Sequence, residues 1–117
     1  MINGFHVLMF SRDAAADRAF LRDVLGWPFI EDEPGTDWLI FKAPPTEVGV
    51  HPSDGEPVAE PYLMCDDLDA TVADLAGQGV AVSEPQQLGF GRLVFVSMPS
   101  GARLGLYQPS HAVAHSL

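Results

Sequence analysis

The sequence predicts an α+β fold made of two βαβββ modules that pair their open sheet faces around a cleft. Two apolar runs that end in aspartate, H-V-L-M-F-S-R-D (residues 6–13) and E-P-Y-L-M-C-D-D (residues 60–67), start the two halves of the chain. Each run precedes a helical pattern and then several short β-favouring runs between Gly and Pro turn signals. Similar segments at a nearly constant offset indicate one structural unit used twice.

The first module, about residues 1–52, is expected to begin with a strand over residues 5–11. Asp13 then stands at the N-cap of a helix with one apolar face, and Gly26 suits the left-handed residue that ends it. Three short strands are predicted in W-P-F-I-E-D, W-L-I-F-K and V-G-V-H, separated by the turn signals P-G and P-P.

The second module, about residues 59–109, repeats this order. After its first strand, D-D-L-D is predicted to cap a helix, with the aspartates favoured by the helix dipole. Strands follow in A-V-S-E, R-L-V-F-V-S-M and R-L-G-L-Y-Q. A Pro-rich acidic linker joins the modules, and residues 110–117 are expected to form a frayed tail. A single module leaves one sheet face bare, so the cleft between two such faces is the expected ligand site.

Composition narrows the class of protein. A chain of 117 residues is one domain by size. Six basic against sixteen acidic residues give a net charge of −10, which disfavours nucleic acids and anionic membranes as partners. The single cysteine, Cys65, cannot form an internal disulfide and is expected to pack in the core, which fits a cytoplasmic protein. With the predicted cleft, this composition is compatible with a small-molecule ligand.

Four stretches carry a resemblance to a known family: H-V-L-M-F-S-R-D-A, F-L-R-D-V-L-G-W, M-C-D-D-L-D-A-T-V-A-D-L and P-S-G-A-R-L-G-L-Y-Q-P. In this order they resemble the vicinal oxygen chelate superfamily over nearly the whole chain. That superfamily includes glyoxalase I, extradiol dioxygenases, fosfomycin-resistance enzymes and bleomycin-binding proteins. The resemblance implies the paired βαβββ fold and a homodimer, with the modules pairing within one chain or between two chains. It covers both metal enzymes and metal-free binders, so the fold alone does not choose the activity.

The resemblance also implies where a metal would bind. The family's first-strand ligand positions correspond to His6 and Glu60, and its last-strand glutamate positions correspond to Gly49 and Gly105, which have no side chain to offer. Since His51 faces the same way as Gly49, the set His6, His51 and Glu60 would form a two-histidine, one-carboxylate site. The cofactor is therefore either a divalent metal (Fe, Mn, Ni or Zn) or none, and the empty positions favour none.

Other residues are candidates on chemical grounds, each with a structural alternative. Glu60 and Tyr107 are candidate catalytic groups, Tyr107 as a general acid or a weak fourth ligand. Trp38, His51, Arg92 and Tyr107 are candidate ligand-binding residues. Arg92 either pairs with a substrate carboxylate or balances the acidic surface. Trp38 either walls the cleft or packs in the core.

Three functions stay open at this point. The first is binding of a small molecule in the cleft without a complete metal site, which the two glycines favour because they enlarge the cleft. The acidic surface also attracts cationic ligands at long range. The second is a metal-dependent dioxygenase-like or glyoxalase-like lyase that uses His6, Glu60 and His51. The third is an interaction module with a vestigial cleft.

Overall fold

Two helices, a two-stranded hairpin and a four-stranded sheet make up the part of the chain that the computed structural model describes, residues 6–56 and 58–117. Their mixture confirms the predicted α+β class. In chain order they are α1 (Ala14–Asp23), β1 (Phe29–Glu31), β2 (Leu39–Phe41), β3 (Tyr62–Met64), α2 (Leu68–Gly77), β4 (Gln86–Leu88), β5 (Gly91–Ser97), β6 (Arg103–Pro109) and a short 3-10 helix (Ala114–Ser116). Across these residues, neither α-helix has the length and apolar composition needed to cross a membrane.

The predicted helix boundaries are confirmed. The side chain of Asp13 accepts a hydrogen bond from the Ala16 amide, and that of Asp67 accepts one from the Ala70 amide, both at 3.1 Å. Each carboxylate thus satisfies a first-turn amide that has no partner within its helix. Beyond each helix, Gly26 and Gly79 adopt φ values of +70° and +79°, which a residue with a Cβ rarely adopts.

The second module forms the complete βαβββ unit. Its sheet has the order β3-β6-β5-β4, with β3 parallel to β6 and the other neighbours antiparallel. The strand predicted in A-V-S-E is wrong, because that stretch makes only an isolated bridge between Val82 and Val96. The Phe95 amide donates to the Ser83 hydroxyl at 2.8 Å instead of to a main-chain carbonyl, so the ladder breaks there and resumes in β4.

The first module is incomplete. It contains α1 and the antiparallel hairpin β1–β2, whereas residues 6–11 and 47–51 lie outside any strand. The strand predictions for those two stretches are therefore wrong, and Phe5, the predicted first residue, lies outside the described residues. By the repeat, residues 8–10 would pair with residues 49–51 as β3 pairs with β6. Each of these two stretches is the expected hydrogen-bonding partner of the other, so when they do not pair, neither forms a strand.

One hydrophobic core serves both halves of the chain. It lies between the two helices and one face of the second sheet, and its most buried members are Leu68, Val94, Val96 and Leu104. Phe20 and Leu21 of α1 belong to the same cluster. The helix of the first module thus shares its core with the sheet of the second.

A buried carboxylate ties α1 to the turn between β5 and β6. Asp17 is 5% exposed and accepts hydrogen bonds from the hydroxyls of Ser11 and Ser100, both at 2.7 Å, and from the Ser100 amide at 3.1 Å. These donors replace the hydration that burial removes from the carboxylate. The network therefore holds the β5–β6 turn against α1.

Candidate functional site

The face of the second sheet that turns away from the helices is aromatic. Because side chains alternate along a strand, Phe95 of β5 and Tyr107 of β6 point away from the Val94–Leu106 side, and Tyr62 of β3 shares their face. The Tyr62 and Tyr107 rings meet edge to face at a centroid distance of 6.1 Å, and Phe90 meets Tyr107 in the same way at 5.3 Å. We call Tyr62, Phe90, Phe95 and Tyr107 the aromatic face.

Gly105 lies at the centre of this face and leaves space for the ring of Tyr62. Tyr62 stands opposite it in the sheet register, and its ring lies so close that a Cβ on residue 105 would overlap it. Gly105 corresponds to the position where the resemblance expects a metal-binding glutamate. In this chain the ring of Tyr62 occupies the space that such a side chain would need.

Two charged groups flank the Tyr62 ring. The Tyr62 hydroxyl donates to the Glu60 carboxylate at 2.9 Å, and this hydrogen bond, together with partial burial, raises the pKa of the phenol above its ordinary value of 10.0. The guanidinium of Arg103 lies 4.1 Å from the centroid of the Phe95 ring, at cation–π distance. These groups and Gly105 line a shallow cavity of about 410 Å³.

Trp38 lines a different cavity. Its side chain is 61% exposed, outside the core, and the guanidinium of Arg18 stacks over its ring at 5.4 Å. Arg18 is in turn 3.9 Å from the carboxylate of Asp37. This cavity, of about 420 Å³, has no lining residue in common with the one at Arg103. The structure therefore does not bring Trp38 together with Glu60.

Tyr107 connects the aromatic face to the C-terminal segment. Its hydroxyl lies 3.1 Å from Nε2 of His111, whose ring is 4.0 Å from the Glu47 carboxylate. Glu47 also accepts hydrogen bonds from the amides of Ala114 and His115, at 2.7 and 3.1 Å. Burial, and then the charge of Glu47, raises the pKa of Tyr107. Residues 110–117, expected to fray, are held here by a carboxylate from the first module.

The residues present do not fit the metal site implied by the resemblance. His6 and His51 are exposed in segments without regular structure, and the His51 ring folds back onto its own neighbour Gly49. Glu60 is engaged by the Tyr62 hydroxyl. Within residues 6–56 and 58–117, no three His, Cys, Asp or Glu side chains converge as metal ligands. No catalytic step through a metal can be derived from this arrangement.

Arg92, the remaining ligand-binding candidate, and Cys65, which was expected to pack in the core, both lie on the core side of the sheet. Arg92 forms a salt bridge of 3.2 Å to Asp69, near the start of α2, which places it on the opposite face from Arg103. Cys65 is partly buried against the core, and burial raises the pKa of its thiol. A thiol of raised pKa is mostly protonated at neutral pH and is a poor nucleophile.

Sequence reasoning missed Arg103 and three of the four aromatic residues, Tyr62, Phe90 and Phe95. The signal for Arg103 was present, because the alternation that puts Tyr107 on the same face as Gly105 also puts Arg103 there. The signal for Phe95 was not, since its place depends on the register between β5 and β6.

A comparison of the sequence with protein families identifies the family to which this arrangement of helices and strands belongs. The family model of the Glyoxalase/Bleomycin resistance protein/Dioxygenase superfamily matches residues 5–106, and the chain belongs to this superfamily. The resemblance noted from the sequence is thereby confirmed. A search of curated protein sequences finds no match.

Several solved structures share the fold. TnmS3, an antibiotic binding protein from Streptomyces sp. CB03234, is 29% identical, with a TM-score of 0.62 over 94% of this chain and 100% of that one. A glyoxalase/bleomycin resistance protein from the same organism is also 29% identical, with a TM-score of 0.53 over 84% and 93% of the two chains. Lactoylglutathione lyase from Agrobacterium tumefaciens, at 16% identity, has a TM-score of 0.63 over 91% and 92%. At that identity the last similarity concerns the fold alone.

Proposed function

We propose that this protein binds a small planar aromatic molecule on its aromatic face, without metal chemistry. The observation that carries the proposal is the cavity in which the Tyr62 ring lies against Gly105, beside Phe95 and the guanidinium over its ring. Aromatic side chains around a few oriented polar groups are typical of small-molecule sites. The open sheet face offers rings onto which a planar ligand stacks.

Two further findings support binding over catalysis. A solved structure that is 29% identical over its whole length is described as an antibiotic binding protein. The residues around Glu60 do not fit the metal site of the superfamily's enzymes. The Tyr62 hydroxyl is hydrogen-bonded to the Glu60 carboxylate, and the Tyr62 ring fills the space beside Gly105 where a metal-binding side chain would stand. Stoichiometric iron, manganese, nickel or zinc in the purified protein, lost in both His6→Ala and Glu60→Ala, would favour the lyase or dioxygenase alternative instead.

The proposal is tested with 2-naphthalenemethanol, a neutral planar probe. Binding to the native state alone raises stability, by about 2.7 kcal/mol at a concentration of 100 Kd. We expect the probe to raise the melting temperature of the wild-type protein and to titrate by calorimetry. Tyr62→Ala and Phe95→Ala should weaken binding, whereas Phe29→Ala, a control at an exposed ring on the β1–β2 hairpin, should bind as the wild type does.

Circular dichroism and urea unfolding of each variant show whether it is folded, so that a loss of binding is not confused with a loss of structure. Absence of any thermal or calorimetric response of the wild type, both to this probe and to the carboxylate of the same shape, 2-naphthoate, would refute the proposal. Equal affinities of the wild type, Tyr62→Ala and Phe95→Ala would place the probe elsewhere and refute it as well.

We also propose that the working unit is a homodimer in which a second copy covers the unpaired segment of residues 7–10. The segment is apolar, and Leu8 and Phe10 are 72% and 93% exposed. Val48 and Val50, in its expected neighbour strand, are also exposed. A second copy would bury these side chains and supply the missing strand pairing, which the hydrophobic effect favours.

Light scattering after size exclusion tests the dimer. The wild type should have the mass of two chains, and Phe10→Glu should be monomeric because it would bury a charge in the interface. Leu117→Glu, at an exposed apolar residue of the C-terminal segment, is the matched control and should remain dimeric. A monomeric wild type at micromolar concentration would contradict the proposal.

A further inference from the structure

We infer that the ligand of this site is a planar aromatic carboxylate, with its acid group bound by Arg103. The inference rests on the proposed function and adds to it the charge of the ligand and the residue that recognises it. It runs against the net charge of −10, which by itself favours cationic ligands.

Arg103 lacks the ion pair that Arg18, Arg22 and Arg92 have. Arg18, Arg22 and Arg92 each lie within 4 Å of an aspartate carboxylate. Within the described residues, Arg103 takes part in no salt bridge and its side chain donates no hydrogen bond, although acidic residues greatly outnumber basic ones. Arg12 also lies outside these ion pairs, but it lines neither cavity.

The Phe95 ring orients the Arg103 guanidinium. At 4.1 Å from the ring centroid, the guanidinium carbon is in contact with the ring face. A stacked guanidinium keeps its N–H groups along its edge, where they match the two oxygens of a carboxylate. Because the stack limits the rotamers of Arg103 before ligand arrives, less entropy is lost when the pair forms.

The rings beside Arg103 determine where the aromatic part of the ligand lies. Tyr62 and Gly105 line the same cavity as Arg103, so an aromatic ring whose acid group meets Arg103 lies beside the Tyr62 ring. The nearby Glu60 carboxylate already accepts the Tyr62 hydroxyl hydrogen. The surface charge acts mainly at long range and is screened beyond about 8 Å at 0.15 M salt, whereas the Arg103 contact is made at hydrogen-bond distance.

Calorimetry with two matched probes at pH 7 and 0.15 M salt tests the inference. The probes are 2-naphthoate, which is charged, and 2-naphthalenemethanol, which is neutral and nearly the same shape. In the wild type we expect the carboxylate to bind about tenfold more tightly, as one charge-assisted hydrogen-bonded pair provides. Arg103→Gln should abolish this preference while still binding the neutral probe, and Arg103→Lys should keep only part of it.

Arg92→Gln is the matched control, because it removes the same charge from the opposite face of the same sheet. It should keep the tenfold preference. If Arg92→Gln loses the preference as Arg103→Gln does, net charge explains it and the inference is overturned. Equal affinity of the wild type for both probes overturns the inference but leaves the proposed function intact. Binding of neither probe overturns both.

Discussion

Replacing Gly105 by alanine tests the central contact of the site. An added methyl group would overlap the ring of Tyr62, which lies on Gly105 across the β3–β6 pair. The ring must then move outward, which separates the Tyr62 hydroxyl from the Glu60 carboxylate. We therefore expect Gly105→Ala to destabilise the fold and to weaken binding at the aromatic face.

The expected magnitude follows from two opposing effects. Overpacking a filled site costs about 1–3 kcal/mol. Replacing glycine by alanine in a strand stabilises by roughly 0.5–1 kcal/mol, because the unfolded chain has less freedom to lose. Tyr62 is 39% exposed on an edge strand, so its ring can give way and the cost should not exceed the middle of this range, about 2 kcal/mol. The net loss should be about 1 kcal/mol.

Urea unfolding followed by circular dichroism measures this loss, in a cycle with Tyr62→Ala. Without the ring, Gly105→Ala should become neutral or slightly stabilising, so the two substitutions should couple by about 1–2 kcal/mol. Gly77→Ala, in α2 where an added methyl group meets nothing within 4 Å, is the control and should stabilise by about 0.5–1 kcal/mol. The same effect of Gly105→Ala with and without the Tyr62 ring would refute the packing argument.

Three other predictions concern stability and titration. Asp17→Ala should lower the free energy of unfolding by about 3 kcal/mol, because three donors lose their acceptor, and Asp17→Asn by less; a loss below about 1 kcal/mol in urea unfolding would contradict this. Glu60→Gln should bring the raised pKa of Tyr62 back toward its ordinary value. An ultraviolet titration of the phenol groups measures this pKa, since the chain has only two tyrosines. Since the pKa of Tyr62 is higher in the folded than in the unfolded protein, its hydrogen bond should stabilise the fold fully below pH 10.0 and less as the pH rises through the folded-state pKa. An unchanged titration of Tyr62 in Glu60→Gln would argue against the contact. Glu47→Ala should speed hydrogen exchange at the amides of the C-terminal 3-10 helix about fivefold, as expected for the loss of a helix cap that contributes about 1 kcal/mol. Unchanged exchange rates would show that the Glu47 carboxylate does not stabilise this helix.

Local signals in the sequence predicted the parts of the fold that depend on nearby residues. The helix caps at Asp13 and Asp67 depend on contacts three residues along the chain, and the left-handed residues at Gly26 and Gly79 depend on the absence of a Cβ. Strands β5 and β6 combine β-favouring composition with a close antiparallel neighbour. Such features are encoded within a few residues.

Local sequence signals could not predict whether two distant segments pair as strands. Residues 6–11 and V-G-V-H have the composition of strands, yet the ladder that would join them needs both at once, across the length of the first module. Composition shows that a segment favours extended structure, not that a neighbour is present. The exposed Phe10 is the direct consequence and the basis for proposing a second copy.

The sequence by itself determined the superfamily, the repeated unit and the missing carboxylates at Gly49 and Gly105, because these follow from residue order. Only the tertiary structure decided what fills the space at Gly105, since Tyr62 reaches it through a parallel pairing between segments far apart in the chain. It likewise decided that the guanidinium of Arg103 lies over the Phe95 ring, whereas Arg92 is paired with Asp69 on the other side of the sheet. The alternation of strand faces separates two arginines that composition alone treats as equivalent.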